Sequence, residues 1–239
     1  MAVIYGRTSG PSARALAEGL GIIAKRRDEY VLDEFDDVDV NWTGAPLDMA
    51  INANTETHKL RQLERWQSAG LACIPFSTEE RIDWLGRSNY HWGGRDFTRP
   101  TRPDFWTQPM RSVKEWRVHV FRKPGGTRGN PADYKVARVG WKVNVEPNLN
   151  REVEGVQIRN RRTGWRLQHY AEPRAVQGRD LLARWAIAIL GWDFGCVDVL
   201  QTNDNPFKWV LLEGNSCPGL KDQATLRCYV TNVGALLNT

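Results

Sequence analysis

The sequence has no apolar run approaching about 18 residues, so no segment is expected to span a bilayer. Its opening, Met1-Ala2-Val3-Ile4-Tyr5-Gly6-Arg7, lacks the basic end and long apolar stretch of a signal peptide, which points to the cytoplasm. Cysteine is scarce. Cys73, Cys196, Cys217 and Cys228 contain no C-x-x-C pair and no histidines at metal-finger spacing, so they read as reduced thiols in packing rather than as a zinc module. No G-x-G-x-x-G or P-loop pattern is present, and no Ser/His/Asp or Cys/His constellation marks a side-chain nucleophile. Charge is also modest: Lys plus Arg number 33 against 28 Asp plus Glu, a net of +5 with a pI near 9.1. Without a recognisable RNA- or DNA-binding motif, that excess makes a basic, Trp-rich nucleic-acid-binding protein without catalysis the second reading. In that reading Arg95, Arg99, Arg102, Arg111, Arg161 and Arg162 follow a phosphate backbone while Trp92 and Trp106 stack on bases.

What is present suits a globular α/β chain. The 239 residues are 41% hydrophobic and 26% charged, which excludes disorder and predicts one large domain or two joined halves. Eleven tryptophans are expected mainly as core and cleft wall. Ala2 to Tyr5 reads as a strand, broken by a Gly/Ser loop, with Ser12 capping a helix from Ala13 to Leu20. Val38 to Trp42 suggests another strand and Thr55 to Ser68 a helix stopped by Gly70. From Ile82 to Thr107 the texture becomes loops around a short strand. Within it, paired Gly93 and Gly94 would let backbone approach a ligand, with Arg87, His91 and Arg95 supplying charge for phosphate; a solvated basic hairpin is the plainer reading.

Glu115 to Phe121 alternates, placing Glu115, Arg117, His119 and Phe121 on one face, and Lys135 to Val143 supplies a partner strand. Asn144 to Glu154 reads as loop, followed by an extended Val156 to Asn160 and a turn over Arg161 to Gly164. A helix runs from Arg174 to Leu190 and ends at Gly191. Gly195 to Leu200 and Trp209 to Asn215 form an antiparallel hairpin, and each apolar strand carries a carboxylate that needs compensation. Glu213 and Asn215 share a face, and a hairpin register can bring Asp198 to them. Two carboxylates and an amide oxygen suit Mg²⁺. The competing reading is acids paired with arginines.

These residues carry a resemblance. Gly191-Trp192-Asp193-Phe194-Gly195-Cys196-Val197-Asp198 followed by Leu212-Glu213-Gly214-Asn215-Ser216-Cys217-Pro218-Gly219 resembles the terminal signature of ATP-grasp enzymes. Glu115 to Phe121 resembles the family strand after the adenine hinge, Arg159-Asn160 with Gly164 is similar to the Arg/Asn motif of ribosomal-protein-modifying glutamate ligases, and His91 to Gly94 stands where the glycine loop covers phosphates. The opening segment is most similar to small phage-type members. The resemblance implies an α/β (α+β) ATP-grasp fold, two subdomains clasping nucleotide, at 76–239, after a shortened N-terminal α/β segment at 1–75. It implies ATP and Mg²⁺ as cofactors, with metal on Asp198, Glu213 and Asn215. Arg117 and Arg159 would be catalytic, and Arg87, His91, Gly93, Gly94, Glu115, Lys142 and Asn160 would contact nucleotide. Arg87 departs from the frequent lysine, adding a planar fork. The implied reaction activates a small-molecule or peptide carboxylate as an acyl phosphate for attack by an amine or other nucleophile, with a nucleic-acid-linked acceptor as one form.

Overall fold

A computed structural model describes residues 2–6, 11–26, 28, 39–43, 47, 51–55, 57–89, 103–150, 152–153, 156–157, 159, 163–170, 176–204 and 206–239. The chain opens with a parallel sheet in which β1 (Val3–Gly6) lies between β2 (Ile23–Arg26) and β3 (Val40–Trp42). Helix α1 (Pro11–Leu20) buries Ala13, Leu16 and Ala17 against them. It begins at Pro11, whose fixed φ suits a first turn. Ser12 is therefore not the cap: its Oγ accepts from the Leu220 backbone N–H at 2.9 Å, tying α1 to the far end of the chain. Helix α2 (Lys59–Ser68) starts four residues after Thr55, because His58 caps it by accepting from Arg61 N–H.

The stretch read as loops around a short strand supplies two strands, β5 (Leu85–Arg87) and β6 (Phe105–Thr107), which join β4 (Phe76–Ser77) in a small antiparallel sheet with β6 central. Next come β7 (Ser112–Arg122), β8 (Tyr134–Asn144), the two-residue strands β9 (Glu152–Val153) and β10 (Val156–Gln157), and β11 (Trp165–His169). Helix α3 (Gln177–Leu190), the long hairpin β12 (Phe194–Thr202) and β13 (Trp209–Asn215), and helix α4 (Gln223–Leu237) complete the chain. Of the extended segment expected at Val156 to Asn160, Val156 and Gln157 pair with Val153 and Glu152, while Ile158 and Asn160 lie outside the described residues. Gly191 ends α3 in the left-handed region, φ 71°, where a Cβ would be strained.

The central sheet runs β11-β8-β7-β12-β13, antiparallel throughout. On one face Trp116, Val118, Val120, Val139, Val197, Val199 and Leu211 pack against Ala183, Ala186, Ile187 and Leu190 of α3. Trp66 and Trp192 are fully buried in the same core, as expected of large rings. A second core joins Ile4, Leu16 and Val40 to Phe121, Phe194, Tyr229, Val233 and Leu236. The four cysteines are thiols. Among the described residues no helix is long and apolar enough to cross a membrane.

Candidate active site on the charged face of the central sheet

The face turned away from α3 is polar, and its chemistry is set by strand register. One row crosses all five strands: His169, Gly140, Arg117, Asp198 and Glu213 are successive partners. The last step depends on a bulge. Val199 pairs with Leu211, yet Asp198 pairs with Glu213, so Leu212 is an extra residue. Without it Asp198 would oppose Leu212 and Glu213 would turn to the α3 face. The bulge thus puts both carboxylates on one face, with Asn215 one alternation further, opposite Cys196.

Each acid is compensated by protein cations. Arg117 Nε and Nη2 donate to the two oxygens of Asp198, both at 2.7 Å, while Asp198 is almost wholly buried. Burial works against the Arg117 charge, but Asp198 outweighs it and holds the guanidinium well above its ordinary value. Glu213 Oε2 lies 3.1 Å from Lys59 Nζ and 3.6 Å from Arg87 Nη2. Lys142 ion-pairs Glu115 and approaches Asp198 at 3.9 Å. Burial pushes the Glu115 carboxyl up against the pull of Lys142. Burial likewise works against the Lys142 charge, but Glu115 and Asp198 prevail and raise it. Asn215 Oδ1 accepts from Cys217 N–H at 3.1 Å.

The structure therefore gathers Arg87, Glu115, Arg117, Lys142, Asp198, Glu213 and Asn215 on one surface. Arg159 sits apart. Its Nη2 donates to Ser112 O at 2.7 Å, and Ser112 pairs with Thr202, four residues along β12 from Asp198. At about 3.3 Å per residue that is roughly 13 Å. His91, Gly93, Gly94 and Asn160 lie outside the described residues, as do Trp92, Arg95, Arg99, Arg102, Arg161 and Arg162 of the nucleic-acid reading.

Sequence reasoning missed Lys59. A lysine at the first helical position faces the positive end of the helix dipole, a placement that calls for an anionic partner. Gln62, one turn on, accepts from Gly214 N–H at 2.9 Å and fixes α2 beside β13. His119, already placed on the Arg117 face by the β7 alternation, and His169, which the sequence did not place, are neighbours of Arg117 here. His119 Nδ1 lies 3.0 Å from the Tyr229 hydroxyl, and His169 leans over Gly140. Burial, then Arg117, keeps His119 well below its usual range; burial, then Arg138, brings His169 down to about 4.

The donor set fits magnesium in kind. Asp198, Glu213 and Asn215 offer only hard oxygens, and no three His, Cys, Asp or Glu side chains converge among the described residues, so the Asn215 amide is needed to complete a protein triad. Arg117, Lys59 and Arg87 now neutralise the positions a metal would neutralise.

No family model matches the sequence, and no curated protein does. Solved structures do. The chain is similar to the ATP-grasp ligase PsnB complexed with a minimal precursor, with TM-score 0.62 and 11% identity over 100% of this chain and 99% of that one. It is similar to a RimK domain ATP-grasp protein from Sphaerobacter thermophilus, with TM-score 0.60 and 11% identity over 99% and 98% of the two chains. It also matches carboxyaminoimidazole ribonucleotide synthase from Aspergillus clavatus complexed with ATP, with TM-score 0.66 and 13% identity over 99% of this chain and 76% of that one. A central antiparallel sheet with one helix-covered face and one charged face, matched to these structures over its whole length, gives this chain the ATP-grasp fold.

Proposed function

We propose that the chain is an ATP- and Mg²⁺-dependent ligase that activates a carboxylate as an acyl phosphate for attack by an amine. The observation that carries this reading is the register row that sets Arg117, Asp198 and Glu213 side by side on the charged face of an ATP-grasp fold, with Lys59 and Arg87 ion-paired to Glu213 from neighbouring elements. Structural neighbours were solved with ATP or with Mg and ADP. Asp198, Glu213 and Asn215 would hold Mg²⁺, which when bound supplies charge neutralisation to the phosphates.

The chain's own residues then account for the remaining demands. Arg117 and Arg87 are planar forks that can shift from carboxylate to phosphate oxygens, and Lys142 adds a point charge beside them. In the first step a substrate carboxylate oxygen bonds to the γ-phosphorus, the bond to the β–γ bridging oxygen breaks and ADP leaves. Charge spreads over the transferring phosphoryl oxygens, where these cations lower the barrier. In the second step the amine nitrogen bonds to the acyl carbon, phosphate leaves and the nitrogen loses a proton. No side-chain nucleophile is needed.

The test is ADP release from Mg²⁺-ATP across a panel of carboxylates and amines, oligonucleotide-linked amines included. Glu213→Gln keeps the side chain's shape and removes one charge, so turnover should fall at least 100-fold with a folded protein retained. Unchanged turnover in that variant removes Glu213 from the site. A salt-sensitive oligonucleotide complex with no Mg²⁺-ATP binding would favour the nucleic-acid reading instead.

A further inference from the structure

At the head of β7 the chain forms an open polar cavity of about 190 Å³, lined by Met110, Arg111, Glu152, Gln157, Arg159 and Asn203. Arg159 is the odd member. Arg117, Arg122, Arg128 and Arg138 each meet a carboxylate at 2.6–2.7 Å. The Arg159 guanidinium instead lies over the Trp165 ring at 5.1 Å, gives one N–H to Ser112 O, and keeps Nη1 buried with no hydrogen-bond partner among the described residues. Burial draws its pKa down, and only the charge of Glu115 opposes that. A buried guanidinium N–H without an acceptor is costly, and the acceptor it lacks can come from a ligand. Arg111 likewise has no ion pair among the described residues.

We infer that this cavity binds an anchoring carboxylate of the substrate, with the Arg159 and Arg111 guanidinium groups as charged donors and the Gln157 and Asn203 amides as neutral ones. The inference rests on the ligase reading and adds the substrate's shape to it. Two arginines against Glu152 leave one positive charge, which suits a monoanion and disfavours a polyphosphate. The cavity also stands roughly 13 Å along the strand from Asp198, so the carboxylate held here is not the one activated there. A substrate reaching both points is extended, on the scale of a peptide of about four residues.

The probe is a mixed-sequence pool of N-acetylated tetrapeptides with free C-terminal carboxylates, compared with the same pool amidated. Retention is measured by equilibrium dialysis against the full chain saturated with Mg²⁺ and a non-hydrolysable ATP analogue. Acids should be retained at least about tenfold more strongly than amides, and 10 mM inorganic phosphate, roughly a physiological excess, should not displace them. Arg111→Gln should abolish that preference without changing analogue affinity, and Glu152→Gln should strengthen it. Equal retention of acids and amides, no retention of either, displacement by phosphate, or an indifferent Arg111→Gln each overturns the subsite. Failure of the analogue itself to bind is a separate result. It defeats the ligase reading, and dialysis without nucleotide then decides the cavity alone.

Discussion

Arg117 serves both fold and proposed chemistry, because its partner Asp198 is buried on the central strand. Removing one member of a buried pair strands the other's charge, at about 3–5 kcal/mol. Arg117→Met should therefore lose both stability and turnover, and Arg117→Met combined with Asp198→Asn should regain most of the melting temperature but no ADP release. Turnover returning with stability would make the pair purely structural. His119 and His169 give the same face a pH signature. The other groups facing them are Arg117, Arg138, Asp222 from the start of α4 and Tyr229. Asp222, held to about 2 by its cap bonds to Thr225 despite some burial, stays charged throughout the relevant range. Folded imidazoles remain neutral where unfolded ones take up a proton near pH 6.5. Their contribution is thus fully present above pH 6.5 and is lost as pH falls toward about 4 for His169. The unfolding free energy should drop between pH 6.5 and 4, and His169→Gln should flatten that slope. A slope unchanged by His169→Gln would mean that this imidazole is not held neutral.

Elements show where sequence was legible and where it was not. The β7 alternation, the β12–β13 hairpin and the Gly191 stop of α3 could be read directly, since each follows from periodicity or from one residue's backbone freedom. The Asp198–Glu213 pairing could not, because it turns on Leu212 being bulged out. Strand β11 went unread too: Trp165 to Gln168 alternates, but the run is short and forms the sheet edge, where pairing with β8 alone defines it. Lys59 was legible only as a helical lysine, since its partner lies far along the chain. That edge depends on Gly140. A Cβ there would stand 2.7 Å from His169 Cδ2 and 3.0 Å from Gln168 O, so β8 accommodates the imidazole only because this residue has no side chain. Gly140→Ala should cost about 1–3 kcal/mol, lowering Tm by a few degrees. Adding His169→Ala should recover part of the loss, since the clash with backbone oxygen remains. Full additivity of the two losses would show that the ring is not what Gly140 makes room for.

At the scale of the molecule, the opening 75 residues pack with the far end of the chain. Ile4, Leu16, Val40 and Ile51 form their core with Phe121, Phe194, Tyr229, Val233 and Leu236, so helix α4 completes a sheet laid down at the other end of the chain. Polar contacts repeat the pattern. Asp193, fully buried, accepts from Arg122 Nε at 2.6 Å, from Arg128, and from the Asn52 backbone at 2.6 Å, while Asn52 Oδ1 accepts from Asp193 N–H. Ser12 and Leu220 add a further tie. A fragment of residues 1–75 would expose half of that core and leave Asn52 and Ser12 without these partners, and so few residues supply little surplus over chain entropy. We therefore expect the 1–75 fragment to be unfolded in isolation and the full chain to lose near-UV and far-UV circular dichroism in one coincident thermal transition. Truncation before Asp222 should destabilise the N-terminal sheet as strongly as the central one, read as matching loss of amide protection in β1 and β12. A protected, cooperatively melting 1–75 fragment would overturn this and make the opening segment an independent unit.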